Sequence, residues 1–334
     1  MTTSLIETER SLVTKVAKGL LKCLDTRDAH EFTRCHIQNS VNIHYSKLQH
    51  LWFQLPAKQV PLVVVEDGIH GIDENEQGTC GSQLKDRGWL VEKSIIANES
   101  LWNWCRENGF LEEGTSKQVL FSPSPHLAAV IDKIETAFAP KKTARVLDIG
   151  CGSGRDLAWL CFRSKFQWMV SALDAEKRAI NRFTDFFEQL NLESRVEDAC
   201  VAKVDQNGLW TLYTREGKRV TDQEGLTTAS FLSSNFRFNE SEKFDLILQI
   251  RFLNRALLKD TAEMLNKNGF LFLCTFTDDG KTVYEYPKTQ DHRLQKGEIK
   301  KLVAKLDGLE LVCDDIGYIE DGRPVEVVLI QKTN

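Results

Sequence analysis

The feature that most constrains the fold of this chain is a glycine-rich turn that follows a short apolar run. Residues 144–156 read Ala-Arg-Val-Leu-Asp-Ile-Gly-Cys-Gly-Ser-Gly-Arg-Asp. The apolar residues predict a buried strand, the glycines predict a tight turn, and a helix is expected to begin at Arg155. Glycine lets the backbone approach a ligand closely, and the first N–H groups of the helix face the same place. The segment therefore predicts that a nucleotide-like ligand binds on this turn.

The spacing of the glycines indicates which nucleotide is bound. In the dinucleotide fingerprint G-x-G-x-x-G, the third small residue packs the helix on the strand. Here Gly154 comes one residue early, and the bulky Arg155 takes that position. The next predicted strand, residues 168–173, is followed by Asp174, whose carboxylate can accept both hydroxyls of a ribose. These residues favour a nucleoside cofactor other than a dinucleotide over a purely structural turn.

The turn from Asp148 to Gly154 resembles motif I of the S-adenosylmethionine (SAM)-dependent methyltransferases with a Rossmann-like fold, in which an acidic residue precedes G-x-G-x-G. The resemblance implies that the cofactor is SAM and that Asp148 orients its amino end, directly or through water. It also implies that Asp174 binds the ribose of the cofactor. The cofactor-binding set that it implies is Asp148, Gly150, Cys151, Gly152, Gly154, Asp174 and Gln249.

The composition narrows the cellular setting and the partners. A length of 334 residues predicts two domains, and the net charge of −5 argues against a nucleic-acid partner. No apolar stretch reaches the length of a membrane span, and the polar N-terminus is unlike a signal peptide, so we expect no membrane association. The nine cysteines show no C-x-x-C spacing, which predicts reduced thiols and no metal site. Together these features predict a cytoplasmic protein, with the nucleus as an alternative.

The N-terminal part of the chain carries a second pattern. A predicted strand ends in Asp25-Thr26-Arg27, and Glu31-Phe32 and His36-Ile37 follow. Residues 12–112 thereby resemble the rhodanese-like domain, an α/β fold with the pattern Asp-x-Arg, Glu-Phe, then Gly-His-Ile-x-Gly-Ala. Cys35 and Asn39 stand where that family usually has glycine.

The same resemblance implies that this domain is inactive. An active rhodanese has a cysteine directly after the central strand, but here residues 61–65 are followed by Glu66-Asp67-Gly68. The nearest cysteine, Cys80, lies further along the loop. Acidic neighbours raise the pKa of a thiol and repel an anionic sulfur donor. We therefore predict a non-catalytic domain that serves packing, regulation or binding of a protein partner.

The remaining chain is predicted to hold a linker and a larger domain. Residues 113–143 form the linker, with an amphipathic helix over 126–138 that either covers the ligand site or packs in the core. Residues 144–332 alternate strands and helices as in a doubly wound sheet. The predicted fold class is thus α/β, with a rhodanese-like domain followed by a doubly wound Rossmann-like methyltransferase domain.

Substrate residues are expected after the fourth strand of that domain, because strand ends line the crevice of an open α/β sheet. The sequence there is Gln249-Ile250-Arg251-Phe252, without the Asn/Asp-Pro-Pro-aromatic or Pro-Cys motifs of several nucleic-acid and amide methyltransferases. A helix is predicted over 254–266. If the segment from Arg251 is helical, Arg251 and Arg255 share one face and can bind an anion bidentately; the alternative is a solvated surface pair or salt bridges to the neighbouring domain. His292 is a candidate base, although a lone histidine is more often structural.

Arg-Phe-Leu-x-Arg together with Gly-Ser-Gly-Arg-Asp resembles the tellurite-resistance and thiopurine methyltransferases, a subgroup sometimes fused to a rhodanese-like domain. The resemblance implies methyl transfer to a small anionic, thiol or chalcogen acceptor. No catalytic residue is assigned, because such acceptors need little help from a base. Two alternatives stay open: a bifunctional sulfur-handling enzyme that uses Cys80 or Cys35, and a non-enzymatic or RNA-modification-associated SAM-binding scaffold.

Overall fold

The computed structural model describes residues 7–68, 78–116, 118–138, 141–163 and 165–333. The chain divides into two compact units, the first ending at Ser122 and the second beginning at Pro123. This boundary lies beyond the predicted end of the first domain at residue 112, so the second unit includes the helix that precedes the glycine turn.

The first unit is built on four parallel strands in the order β3-β1-β4-β5. Strand β4 reads Leu-Val-Val-Val-Glu and is buried throughout, as expected of a central parallel strand covered on both faces. Successive residues of β1 and β4 pack into two separate apolar clusters, one on each face. The elements are α1 Glu7–Ala17, β1 Lys22–Asp25, α2 Ala29–Arg34, β2 His36–Ile37, β3 Val41–Asn42, β4 Leu62–Glu66, α3 Cys80–Asp86, β5 Val91–Ile96, α4 Glu99–Glu107 and β6 Leu111–Glu112.

The second unit is built on a sheet in the order β11-β10-β9-β8-β7-β12-β13-β16-β15, with β14 added to β13. Strands β9, β8, β7, β12 and β13 are parallel, and antiparallel strands flank them at both ends. The first half of its elements is α5 Pro125–Ala137, β7 Thr143–Ile149, α6 Arg155–Phe162, β8 Gln167–Asp174, α7 Lys177–Gln189, β9 Val196–Val204, β10 Trp210–Tyr213, β11 Arg219–Leu226 and α8 Thr228–Asn235. The second half is β12 Phe244–Ile250, α9 Thr261–Met264, β13 Leu265–Asp278, β14 Leu294–Gln295, α10 Glu298–Val303, β15 Leu309–Tyr318 and β16 Pro324–Lys332.

This order is that of a doubly wound, Rossmann-like sheet. The chain builds β7, β8 and β9 outward in one direction and then returns to add β12 on the other side of β7. Ligands of such sheets bind at the carboxyl ends of the strands where the order reverses. The fold therefore directs attention to the ends of β7 and β12.

The predicted helix over 254–266 is wrong. A 3-10 turn covers Ala256–Lys259, α9 is a single turn, and β13 already begins at Leu265. The side chain of Asn254 caps the start of the 3-10 turn, since its Oδ1 accepts the backbone N–H groups of Ala256 and Leu257 at 3.0 and 3.3 Å. The helical conformation ends early because Leu265 already pairs with Phe244 of β12, so the sheet takes residues that the pattern assigns to the helix.

Helix α5 is part of the core of the second unit. Its residues Leu127, Ile131 and Ile134 are fully buried. The carboxylate of Glu135, also buried, accepts hydrogen bonds from Arg163 Nε at 2.7 Å and Trp168 Nε1 at 3.3 Å. These contacts favour the core-packing interpretation of the helix over a covering role. None of the helices in the described ranges is both long and apolar enough to cross a membrane.

Candidate active site

A cavity of about 530 Å³ opens at the carboxyl ends of β7, β8, β9 and β12. The sheet order arranges its walls in a row, from β10 and β9 at one end to the segment after β12 at the other. Of the residues predicted from the sequence, Gly150, Asp174 and Arg251 line it. Further lining residues are Ile149, Glu176, Lys203, Trp210, Phe252 and Tyr286.

The turn after β7 requires glycine at its ends. Gly150, Gly152 and Gly154 have φ values of 84, 57 and 75°, a region that other L-residues adopt at a cost. A Cβ atom on Gly154 would lie 2.4 Å from the ring of Phe183, and one on Gly150 would lie 3.1 Å from Cβ of Phe252. The glycines thus let the turn pass close to two aromatic side chains, and Gly150 lines the cavity.

Asp174 ties the turn to the end of β8. Its Oδ2 accepts the backbone N–H of Gly152 at 2.9 Å, and its Oδ1 accepts that of Glu176 at 2.8 Å. Each carboxylate oxygen still has a second lone pair for a ligand hydroxyl. Because the side chain is only half-buried and lines the cavity, it can hold a ribose there.

Asp148 lies behind the turn rather than on the cavity wall. Its side chain is buried, and its Oδ1 has no hydrogen-bond partner among the described residues. Burial raises the pKa of this carboxyl well above its ordinary value, and the nearby carboxylates of Asp156 and Asp174 raise it further. A buried acceptor without a donor suits the amino end of SAM, or a water that binds it.

Cys151 and Gln249 are also buried, and neither is among the residues that line the cavity. The Cys151 thiol lies 3.6 Å from the carbonyl oxygen of Gly152, and burial raises its pKa well above the ordinary value. Gln249, near the end of β12, is fully buried, and both atoms of its amide lack a hydrogen-bond partner among the described residues. Its unused donor and acceptor are available to a ligand that binds with a water or a small shift of the side chain.

Arg251 stands where the chain leaves β12. Its φ of 58° is unusual for a residue other than glycine, and its backbone N–H donates to the carbonyl of Cys274 at 2.7 Å. The side chain is exposed at the cavity, and its guanidinium makes no hydrogen bond or ion pair with any residue that the structure describes. Strained backbone of this kind often accompanies functional positions.

Arg255 is engaged in a salt bridge within the second unit. The segment between Arg251 and Arg255 is not helical, so the two side chains do not share a helix face. The guanidinium of Arg255 pairs with both carboxylate oxygens of Glu298 and donates to the carbonyl of Arg293 at 2.8 Å. The guanidinium N–H groups of Arg255 therefore bind other residues of the second unit and fix the start of α10 at Glu298. His292 is exposed at the end of a 3-10 turn and is not among the residues that line the cavity.

Phe252, Trp210 and Tyr286 also line the cavity, although the sequence motifs did not indicate them. Phe252 directly follows Arg251 at a strand end, so its position alone could have indicated it. Trp210 begins β10, and nothing in its local sequence indicates that this end of the strand borders the cavity. Tyr286 belongs to a connection after β13, and no local pattern shows where such a segment lies.

The first unit presents a second strand end with polar residues. Strand β4 ends at Glu66, which is 2% exposed, and Cys80 begins α3 with 1% exposure. Burial raises the pKa of the Cys80 thiol to about 12, and the carboxylate of Glu66 contributes to that increase. Cys35, the other candidate nucleophile, is also buried. A thiol held in its protonated form is a poor sulfur carrier.

Comparisons with known proteins add evidence from outside the chain. Residues 125–305 match the family described as "Methyltransferase domain". A protein of Schizosaccharomyces pombe named "Uncharacterized protein UNK4.09" is 48% identical over 329 residues, which cover 97% of each chain. Among solved structures, TehB from Haemophilus influenzae is 18% identical with a TM-score of 0.41, and 62% of each chain is covered. A SAM-dependent methyltransferase from Aquifex aeolicus is 14% identical with a TM-score of 0.38, covering 62% of this chain and 93% of that one.

Proposed function

This chain belongs to the SAM-dependent methyltransferase family, and we propose that it transfers the methyl group of SAM to a small anionic or thiol acceptor bound beside Arg251. One observation carries the choice of acceptor. Among the described residues that line the cavity, Arg251 offers an exposed guanidinium that makes no hydrogen bond or ion pair with another described residue, and the carboxylates of Asp156 and Asp321 interact with its charge only at longer range. A planar guanidinium in that state binds a carboxylate or another oxyanion through two parallel hydrogen bonds.

The sheet order supports separate positions for cofactor and acceptor. Asp174 ends β8, the glycine turn ends β7, and Arg251 follows β12, so these groups succeed one another along the row β8-β7-β12. In this proposal Asp174 binds the ribose, and the backbone from Gly150 to Gly154 supports the methionine part. Asp148, Cys151 and Gln249 form the buried layer beneath. The acceptor then lies at the β12 end, next to the methyl donor.

Positioning is the main catalytic contribution of the protein in this proposal. When bound, SAM supplies a methyl group on a sulfonium, which is already activated for transfer. Aligning an acceptor with such a donor converts a bimolecular step into an effectively unimolecular one. Thiolates and chalcogen anions need little assistance from a base, so the exposed position of His292 is compatible with the reaction.

For the first unit we propose a non-catalytic rhodanese-like domain, spanning about residues 12–112, that binds a protein partner or serves packing. Its parallel sheet and the strand end at Glu66 support this assignment. The raised pKa of Cys80 disfavours the bifunctional sulfur-handling alternative. The net charge of −5 disfavours the RNA-associated scaffold. We also propose a cytoplasmic location.

The first experiment is calorimetric titration of the full chain with SAM, with NAD as comparator. We expect micromolar binding of SAM, no binding of NAD, and loss of SAM binding in Asp174→Ala, because its carboxylate holds the ribose and fixes the turn through Gly152. Absence of SAM binding to the unmodified chain would overturn the proposal.

The second experiment tests the acceptor with labelled SAM and two matched thiols, the anionic 3-mercaptopropionate and the neutral 1-propanethiol. We expect transfer to the anionic thiol and a KM about tenfold higher in Arg251→Gln, since a charge-assisted hydrogen bond contributes about 1.5–3 kcal/mol. The variant should leave any reaction with propanethiol unchanged. Transfer to neither thiol by SAM-binding protein would rule out small thiols as the acceptor.

A further inference from the structure

Residues 279–293, which we call the strap, leave the sheet after β13 and return to it at β14. Thr277 pairs with Leu294 and Asp278 pairs with Gln295, so the two ends of the strap are joined. Between these ends the strap contributes Tyr286 to the wall of the cavity. The strap follows β13, the strand next to β12, and therefore forms part of the cavity wall on that side of the sheet.

The strap is held by contacts that do not involve the ring of Tyr286. The hydroxyl of Tyr284 donates to the carbonyl of Thr277 at 2.6 Å, and the guanidinium of Arg293 lies 4.5 Å from the centre of the Tyr284 ring. Tyr284 also contacts Phe276 edge to face, with ring centres 6.1 Å apart. Cation–π and aromatic contacts of this kind each contribute on the order of 1 kcal/mol.

Arg323 fixes the backbone of Tyr286 itself. Its Nη1 donates to the carbonyl oxygen of Tyr286, while its Nε and Nη2 bind both carboxylate oxygens of Asp321 at 2.7–3.0 Å. The same guanidinium lies 4.6 Å from the centre of the Phe276 ring. A side chain with this many fixed contacts holds the main chain of Tyr286 in one place.

No hydrogen bond, aromatic contact or cation–π contact joins the ring of Tyr286 to another residue that the structure describes. Tyr286 is 73% exposed although it lines the cavity, whereas its neighbour Tyr284 is half-buried. An aromatic residue on a fixed backbone, with an open face toward a cavity, gains contact area only when that cavity is filled. Burying such a ring removes a large apolar area from water.

We propose that Tyr286 is a binding residue that closes over the occupied cofactor cavity, and that Arg323 is the positioning residue that presents it. The inference rests on the proposed function, since it takes SAM or its product S-adenosylhomocysteine as the molecule that fills the cavity. In this proposal the strap contacts the bound molecule, as do the residues at the ends of β7, β8 and β12.

The test is nitration of exposed tyrosines by tetranitromethane, followed by mass spectrometry of each site, with and without saturating S-adenosylhomocysteine. We expect nitration of Tyr286 to slow at least about fivefold on binding, because the ring becomes buried. Tyr318, which is 62% exposed and does not line the cavity, should react within twofold of its original rate. Calorimetry on the same samples establishes that the ligand is bound. Equal nitration of Tyr286 in bound and free protein would overturn the inference while leaving the proposed function intact.

Variants distinguish the contribution of the Tyr286 ring from that of Arg323, which holds the Tyr286 backbone. Tyr286→Ala should raise the Kd for S-adenosylhomocysteine about three- to tenfold, and Tyr286→Phe should stay within about twofold, because the ring and not the hydroxyl makes the contact. Arg323→Gln should lose most of the protection of Tyr286 against nitration. Unchanged affinity in Tyr286→Ala, or full protection in Arg323→Gln, contradicts the corresponding assignment. If the unmodified chain does not bind the ligand at all, the proposed function fails together with this inference.

Discussion

The two units end a central parallel strand in opposite ways. In the first unit, β4 ends in Glu66 and the following helix begins with Cys80, and both side chains are almost fully buried. In the second unit, β7 ends in a glycine turn at a cavity of about 530 Å³, with Arg251 exposed beside it. In both units a parallel strand precedes a helix. The difference teaches that the same α/β pattern can leave the polar groups at one strand end buried and those at another exposed to a cavity.

The largest effect expected from this difference concerns the reactivity of Cys80. With a pKa of about 12, this thiol should be labelled by iodoacetamide at pH 8 about a thousandfold more slowly than free N-acetylcysteine. Its labelling rate should show no plateau between pH 8 and pH 10, since the thiolate fraction still rises with pH in that range. Residue-resolved mass spectrometry gives the rate. Labelling of Cys80 as fast as the free thiol would mean that the first unit is as open as the second.

The next largest effect is expected in the glycine turn, where substitutions should lower the free energy of unfolding. Gly154→Ala places a methyl group 2.4 Å from the ring of Phe183 in a left-handed backbone, so we expect a loss of about 2–5 kcal/mol. Gly152→Ala is the matched control, because its φ is also positive but no atom lies within 4 Å of the added carbon. It should lose only about 1–2 kcal/mol. Urea unfolding measures both values, and equal losses would show that contact with Phe183 does not shape the turn.

The smallest effect distinguishes the two arginines near the open strand end. Arg255→Gln removes the partner of Glu298 and should lower the free energy of unfolding by about 1 kcal/mol, since the pair is partly exposed. Arg251→Gln removes no hydrogen bond to a described residue and should change that free energy by less than about 0.5 kcal/mol. Thermal unfolding of both variants gives the comparison. A larger loss in Arg251→Gln than in Arg255→Gln would assign Arg251 a structural role.

Local sequence patterns predicted those elements of the candidate site that neighbouring residues along the chain form. The strand before the glycines, the helix from Arg155 and the position of Asp174 follow from apolar runs, glycine spacing and the alternation of strands and helices. The helix over 254–266 is wrong because Leu265 pairs with Phe244 of β12, a contact between strands that a local pattern does not show. Arg251 and Arg255 lie in the irregular segment between β12 and the 3-10 turn, so they share no helix face.

The strap could not be predicted for another reason. Arg323 and Tyr286 are 37 positions apart, and their contact depends on how β13 pairs with β16. The burial of Glu66 likewise depends on the covering of β4 by its neighbours. Contacts of this kind are set by tertiary packing, which the spacing of residues along a chain does not record.

The paired ends of the strap have a consequence for protein engineering. Because Thr277 and Asp278 pair with Leu294 and Gln295, the residues between them leave and re-enter the sheet at neighbouring points. Replacing a loop with closely spaced ends changes the entropy of closure only slowly with its length. Changes in the length of residues 279–293 should therefore alter the entropy of closing this segment only slightly, whereas changes of sequence must keep the contacts of Tyr284, Tyr286 and Arg293 that hold it in place.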